Sequence, residues 1–380
     1  MIKIVFLCGC LEPGKNGVGD YVISLADGLI QNKVPVAILA LNDHYVKEIT
    51  SQVINKGKSE INTLRINHSL DSKRRKKIAK EWIAKLDPEW LSLQFVPYSF
   101  NKKGIPVFLG NMLKNIGTGR KWHIMLHEIW LGEARSDPFK RKLIGLLQKY
   151  LTRNMILAIK PANIFTSNKF YQDSLNKVGI KAQIVPIFSN IPMHAKAFAH
   201  LLPEKILQER SDYLIATFFG NMVFSEEVTD QVFKLRQLVE LEGKKLILTH
   251  IGKNGQAVEY LKYWNARFGI ETYCLGEFSE EEISAYMQKI DLGLSTYPKI
   301  LLEKSGSIAA MCSNGLPVLL LRKSFVKDNR KFDWIEELDE ISGLSEFMLN
   351  ARPLESHVGI NSAIDQYLSS FHSKEEKLAL

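Results

Sequence analysis

The feature that most constrains this chain is a rhythm. Short, continuously apolar runs alternate with stretches of helical spacing along most of its length. Residues 2–8, 35–41, 90–96, 122–126 and 163–166 read as strands, and 18–31, 72–86, 106–116, 138–153 and 169–178 as helices. A strand that is apolar on both faces must be covered on both faces. Alternating strands and helices achieve this as a parallel sheet with helices above and below.

The rhythm breaks at Val185-Pro186-Ile187-Phe188-Ser189-Asn190-Ile191-Pro192-Met193, where two prolines interrupt regular structure. It then restarts. Strands are expected at 213–219, 245–251, 271–275, 291–295 and 317–321, and helices at 225–242, 255–267 and 306–314. Ser279 and Glu282 match a capping box, and the helix they open is expected to run to about residue 290. The stretch after about 330 reads as helical. With 380 residues the chain exceeds the roughly 250–300 that one core supports, so two domains are expected. The expectation is an α/β protein of two Rossmann-like, doubly wound domains facing a cleft. Residues 1–190 form the first and 191–355 the second, with a helical tail over 356–380 that crosses back to the first.

In open α/β sheets, ligands bind beyond the carboxyl ends of the strands, so the strand-end loops are the candidate site. The strongest candidate is Glu303-Lys304-Ser305-Gly306-Ser307, which leads into the helix 308–312. Gly306 lets a ligand approach the backbone, and Ser305 and Ser307 offer hydroxyls and a cap. The helix start offers unsatisfied N–H groups and partial positive charge, which favours a diphosphate. Lys304 adds charge. A plain capped helix is the blander reading.

Gly252-Lys253-Asn254-Gly255 places a lysine at another strand end, where it meets a phosphate or simply solvent. His127-Glu128 follows the strand 122–126, and this histidine is either a donor to a sugar hydroxyl or a satisfied structural residue. The first loop runs Gly9-Cys10-Leu11-Glu12-Pro13-Gly14-Lys15-Asn16-Gly17-Val18-Gly19-Asp20. It approaches the P-loop pattern but has Asn16 where a magnesium-binding Ser or Thr is needed. A glycine loop that admits an anionic or hydroxyl-rich ligand fits better, with simple turns as the alternative.

The four cysteines, Cys8, Cys10, Cys274 and Cys312, are scattered and suit a reducing, cytoplasmic setting. Cys8-Gly9-Cys10 has no second ligand pair at zinc-site spacing, and no metal is expected. Charge is uneven: residues 1–190 hold 29 Lys and Arg against 14 Asp and Glu, and the remainder 21 against 27. The basic half is expected to meet something anionic. No RNA- or DNA-binding motif supports nucleic acid as that partner. Residues 139–153 combine Lys140, Arg141, Lys142 and Lys149 with Leu143, Ile144, Leu146 and Leu147. They form either an amphipathic helix lying on the anionic inner face of a membrane or a solvated helix face.

Taken together, these motifs resemble the retaining glycosyltransferases of the GT-B fold, in particular the large family 4 group. Gly17-Val18-Gly19-Asp20-Tyr21 resembles the family's glycine-rich acceptor loop, and Gln94-Phe95-Val96-Pro97-Tyr98 its next strand end. His127 matches its active-site histidine, Ser189-Asn190-Ile191-Pro192 the entry to its second domain, and Gly315-Leu316-Pro317-Val318 its Gly-x-Pro-Val. The resemblance implies transfer of a hexose from a nucleoside-diphosphate sugar, UDP-glucose-like, with retention of anomeric configuration. The acceptor is then a glycan or a lipid-linked glycan, and no cofactor beyond the donor is required.

By the same resemblance, Glu303 and His127 are the catalytic pair, and Gly17, Val18, Gly19 and Asp20 bind the acceptor. Asn221, Lys253, Leu275, Phe278, Lys304, Ser305, Gly306 and Ser307 bind the donor. The family's second glutamate falls here on Met311, and its Arg/Lys diphosphate clamp is missing from Gly220-Asn221-Met222-Val223-Phe224-Ser225. Lys253 and Lys304 are the expected substitutes. No Asp-x-Asp occurs, which agrees with a metal-independent reaction. A nucleotide-sugar epimerase and a non-catalytic sugar-nucleotide binder are the competing readings.

Overall fold

The computed structural model describes residues 3–14, 16–133, 137–194, 202–253, 255–326, 328–332, 334–350 and 359–371. Lys15, Asn254, the first two residues of the opening strand and most of the tail 356–380 lie outside them. The chain divides between Pro186 and Ile187 into two compact units, one within 1–186 plus 360–380 and the other within 187–359.

The first unit begins β1 (Ile4–Cys8), α1 (Gly17–Gln31), β2 (Val36–Asp43), β3 (Thr50–Lys56), β4 (Ser59–Asn67) and α2 (Ser72–Leu86). It continues β5 (Trp90–Phe95), α3 (Pro97–Phe100), α4 (Leu109–Ile116), β6 (Lys121–Leu126), α5 (Phe139–Ile159), β7 (Asn163–Thr166), α6 (Lys169–Asn176) and β8 (Gln183–Ile184). The sheet order is β3-β4-β2-β1-β5-β6-β7-β8, parallel except for the antiparallel edge pair β3–β4. Every residue of β1, β2 and β5 is buried, as double coverage demands.

The second unit runs α7 (Glu204–Gln208), β9 (Tyr213–Phe219), α8 (Glu226–Leu241), β10 (Lys245–Ile251), α9 (Ala257–Phe268), β11 (Glu271–Gly276) and α10 (Glu280–Met287). Then come β12 (Leu292–Ser295), a 3₁₀ turn Lys299–Lys304, α11 (Gly306–Ser313), β13 (Val318–Leu320), β14 (Ile335–Glu337) and α12 (Leu344–Asn350). Its sheet is fully parallel, in the order β11-β10-β9-β12-β13-β14. The capping box at Ser279 and Glu282 is formed in both directions. The last helix, α13 (Ile360–Phe371), belongs to the first unit, where it packs on α1 and buries Tyr367 and Phe371. Gly28 of α1 makes this possible, because a Cβ there would collide with the Ile364 side chain.

Several elements depart from the sequence expectations, among them the short α3, β8 and α7, which were not expected. The hairpin β3–β4 was not anticipated, because β3 is a mostly exposed, polar edge strand without an apolar run. The stretch after 330 is not wholly helical: β14 adds a strand to the second sheet. The helix expected to reach residue 290 ends at Met287.

Strand order reverses between β1 and β5 in the first sheet and between β9 and β12 in the second. At such a switch point neighbouring connections leave to opposite sides and open a crevice at the strand ends, the usual ligand position in this topology.

Candidate functional site

In the second unit, the switch point is built by the loops after β9 and β12. They are tied directly, since the Val223 amide donates to Thr296 Oγ1 at 3.0 Å. The loops after β10 and β11 join them. Gly252 donates its amide to the Gly276 carbonyl at 2.8 Å, and a Cβ on Gly252 would press on the Gly220 backbone at 3.3 Å. Gly252 also has a φ of +122°, so both conformation and contact call for glycine. Buried His250 donates Nε2–H to the Gly220 carbonyl at 2.8 Å, and burial lowers its pKa, so it serves as a neutral fastener for this loop.

This stitching sets the loops that carry Asn221 and Lys253 and the end of β11 side by side. Asn221 is exposed beside Gly220, Leu275 and Phe278 are half-buried at the end of β11, and Ser307 Cβ lies 4.0 Å from where a Cβ on Gly220 would stand. Lys253 is exposed there too, but its Nζ pairs with Glu277 at 2.8 Å. An exposed pair of this kind contributes at most about 1 kcal/mol, so a phosphate can displace it.

The turn after β12 is organised around Ser305. Its backbone is extended (φ −93°, ψ 104°), and its Oγ accepts from the Ile308 amide at 3.2 Å, the arrangement of a helix N-cap. Ser307 Oγ lies 3.0 Å from Ser305 Oγ. A Cβ on Gly306 would meet only Ile187 Cγ2, at 3.9 Å, so no neighbour crowds the backbone on that side. Lys304 is half-buried at the end of the 3₁₀ turn.

Glu303 is fixed on both sides. Its carbonyl accepts from the Ile187 amide at 2.9 Å, and its Oε1 accepts from Arg330 Nη1 at 2.6 Å. Its Oε2 is buried and has no hydrogen-bond partner. Burial pushes the Glu303 carboxyl above its ordinary pKa, and Arg330 acts against that rise. Arg330 is held in turn by both carboxylate oxygens of Asp328. Sequence reasoning missed Arg330: no motif marks it, and it reaches Glu303 only through the fold. Met311, where the family's second glutamate would fall, is buried in the core.

In the first unit, the switch-point loop after β1 is pinned by a buried ion network. Asp43 accepts from the Leu11 amide at 3.1 Å and from Arg65 Nε at 2.7 Å, and Arg65 Nη2 reaches Glu12 at 2.7 Å. Asn16 caps α1: its Oδ1 accepts from the Val18 and Gly19 amides at 3.0 Å each. Those amides are thus already taken, which a phosphate-cradling P-loop would not allow. Gly19 lets α1 sit against the loop, since a Cβ there would stand 2.8 Å from the Cys10 carbonyl oxygen. Asp20 accepts from the Gly14 amide at 3.1 Å, so it closes the loop, and exposed Gly17 opens the helix.

His127 is buried at the end of β6. Its Nε2 lies 2.9 Å from Gln94 Oε1, and its ring stands edge-on to Tyr21 at 4.8 Å. Gln94 Nε2 donates to Ser92 Oγ at 3.0 Å, and Ser92 Oγ bonds His123 Nδ1 at 2.8 Å. With the Gln94 amide oriented this way its oxygen must accept, so His127 carries its proton on Nε2. Tyr367 Oη approaches both terminal atoms of Gln94 at 3.5 Å. Gln94 and Tyr367 position His127; neither was singled out as a site residue in the sequence. Among the described residues no group of three or more His, Cys, Asp and Glu side chains could hold a metal ion.

No known family profile matches this sequence, and no curated protein does. Solved structures do. An α,α-trehalose-phosphate synthase (UDP-forming) from Burkholderia xenovorans, in complex with glucose-6-phosphate, aligns at a TM-score of 0.62 and 10% identity, covering 98% of this chain and 100% of that one. Anabaena Alr3699/HepE in complex with UDP and glucose aligns at 0.60 and 13% identity over 100% of both chains. The catalytic domain of Arabidopsis thaliana starch synthase IV, bound to ADP and acarbose, aligns at 0.55 and 11% identity over 97% and 98%. Across its whole length, then, this chain has the fold of the GT-B glycosyltransferases.

Proposed function

We propose that this protein is a glycosyltransferase. It moves a hexose from a nucleoside-diphosphate sugar, UDP-glucose-like, to a glycan or lipid-linked acceptor with retention and without a metal. The observation that carries this reading is Glu303 Oε2, a buried carboxylate oxygen without a partner, two residues before a capped helix start. A sugar hydroxyl satisfies the oxygen, and a diphosphate satisfies the helix. The neighbours named above, two of them crystallised with UDP or ADP, support the same class.

The chemistry follows from where charge moves. As the anomeric C–O bond breaks, negative charge collects on the departing diphosphate. Fixed N–H groups at Gly306 and Ser307 and the Lys304 ammonium stabilise that charge more than they stabilise the ground state. Glu303 holds the donor's hydroxyls. His127, fixed by Gln94, contacts the hexose, and the acceptor hydroxyl passes its proton to the departing diphosphate oxygen as its own oxygen bonds the anomeric carbon. Arg330 works against the rise that burial causes in the Glu303 pKa, which favours the carboxylate form that accepts from a hydroxyl.

Thermal melting with nucleotides tests this. A ligand at about 100 times its Kd stabilises the folded state by about 2.7 kcal/mol, a rise of a few degrees for a chain of this size. UDP is expected to raise the Tm more than UMP does, with or without EDTA. If no nucleoside diphosphate shifts the Tm, the reading fails.

A further inference from the structure

Helix α5 is built inside out. The face it buries carries Gly145, Gln148, Thr152, Met155, Ile156 and Ile159. The face it exposes carries Phe139 at 82% exposure, Leu143 at 57%, Leu146 at 60%, Leu147 at 42%, Tyr150 at 61% and Leu157 at 60%. These six recur at the spacing of one helical stripe, about 100° per residue, so they form a continuous apolar ridge along the 21-residue helix. A core-seeking helix would turn this stripe inward.

It does not turn, because the opposite face is keyed into the unit. A Cβ on Gly145 would collide with the Leu131 carbonyl, and one on Gly110 of α4 would stand 3.2 Å from Met155 Cα. Gln148 is satisfied by the Leu131 amide at 3.0 Å and by Tyr98 at 3.4 Å. The rotation of α5 is therefore set, and the ridge is held in solvent. A contiguous apolar patch of this kind marks an interaction surface.

Charge identifies the partner. The helix carries five basic residues, Lys140, Arg141, Lys142, Lys149 and Arg153, and no acidic one. At 100° per residue, Lys140 falls on one flank of the ridge and Lys142, Lys149 and Arg153 on the other. Two acids at its base, Asp137 and Glu133, pair with Arg141 at 3.3 Å and Lys149 at 3.0 Å. Two copies of this face would set like charge against like. An anionic lipid surface meets both features, with the apolar ridge in the acyl boundary and the flanking cations at the headgroups. No helix among the described residues is long and apolar enough to cross a membrane, so the helix lies in the plane of the interface.

We propose that α5 docks this protein on an anionic bilayer through Phe139, Leu143, Leu146, Leu147, Tyr150 and Leu157. The experiment is co-sedimentation of the full chain with phosphatidylcholine vesicles, with and without phosphatidylglycerol. Binding to the anionic vesicles alone is expected, weakening as salt rises from about 0.05 to about 0.5 M. The double variant L143E/L146E removes little packing, since both residues are more than half exposed, and it is expected to lose at least about tenfold in binding with a nearly unchanged Tm. K140E/R153E is expected to lose anionic selectivity. The proposal is overturned if the wild type ignores anionic vesicles, or if L143E/L146E binds as well as the wild type. It is equally overturned if the wild type self-associates through this face, read as a dimer that L143E/L146E abolishes, without binding vesicles. None of these outcomes depends on sugar transfer.

Discussion

The two units share a topology but place polarity differently. In the first, the middle of the sheet is wired: Ser92, Gln94, His123 and His127 form one hydrogen-bonded run under the buried hydroxyl of Tyr367. In the second, the candidate site is assembled at the surface of the sheet from loop backbones, a helix start and the Glu303–Arg330–Asp328 group. A site residue held by core side chains shares its fate with the core. A site residue held by loops and a helix end is energetically separable from it. This difference predicts which substitutions damage both folding and function, and which damage function alone.

The largest effects test that separation directly. His127→Ala and Glu303→Ala are each expected to lower kcat by about 100-fold or more, the scale of removing one preorganised polar contact to a transition state. Their stabilities should diverge. His127→Ala leaves the Gln94 carbonyl in the core with only the long 3.5 Å contact to Tyr367 Oη, at a cost of about 1–3 kcal/mol and a Tm lower by several degrees. Glu303→Ala leaves Arg330 with Asp328 and should melt close to the wild type. Melting curves beside transfer assays check both. A Glu303→Ala variant with full activity would remove the carboxylate from the site.

An intermediate effect is expected at Arg330. Burial already raises the Glu303 pKa, and Arg330 is what limits the rise. Arg330→Ala removes the limit, so Glu303 protonates at higher pH and ceases to accept from a hydroxyl. The acid limb of the kcat/KM profile should therefore move to higher pH, with activity below that of the wild type along that limb. Arg330→Lys should restore part of the profile. An unshifted acid limb would mean that Arg330 serves only the local structure.

How much of this could be read from sequence depends on how local the cause is. The strands 163–166, 213–219 and 245–251 carry the limits expected of them, because a buried parallel strand announces itself as an apolar run. The Ser279–Glu282 box and the Ser305 cap are also local, set by a hydroxyl and the amide three residues on. The hairpin β3–β4 was silent, since an edge strand needs no apolar face. Arg330 and Tyr367 were silent for another reason. Their partners lie 27 residues away, at Glu303, and 273 residues away, at Gln94, distances that only tertiary folding closes. The inside-out face of α5 was half legible: its amphipathic spacing could be read, but which side faced inward depended on Gly145 meeting Leu131.

The smallest effect isolates the wiring of the first unit from its chemistry. His123 is fully buried, bonded to Ser92 through Nδ1, with Nε2 unpartnered among the rings of Phe165, Tyr367 and Phe371. Burial, with a smaller push from His127, lowers its pKa to about 3. The unfolded chain takes up this proton near the ordinary histidine value of about 6.5, so between these limits the unfolded state binds one proton more than the folded state. His123 therefore favours folding fully above about 6.5, and its contribution falls by about 1.4 kcal/mol per pH unit as pH drops towards 3, below which no more is lost. His123→Phe should remove that slope without imposing another, and urea unfolding at a series of pH values reads the difference. If the variant keeps the wild-type slope over this window, the ring is protonated in the fold, and the neutral wiring assigned to the first unit is wrong.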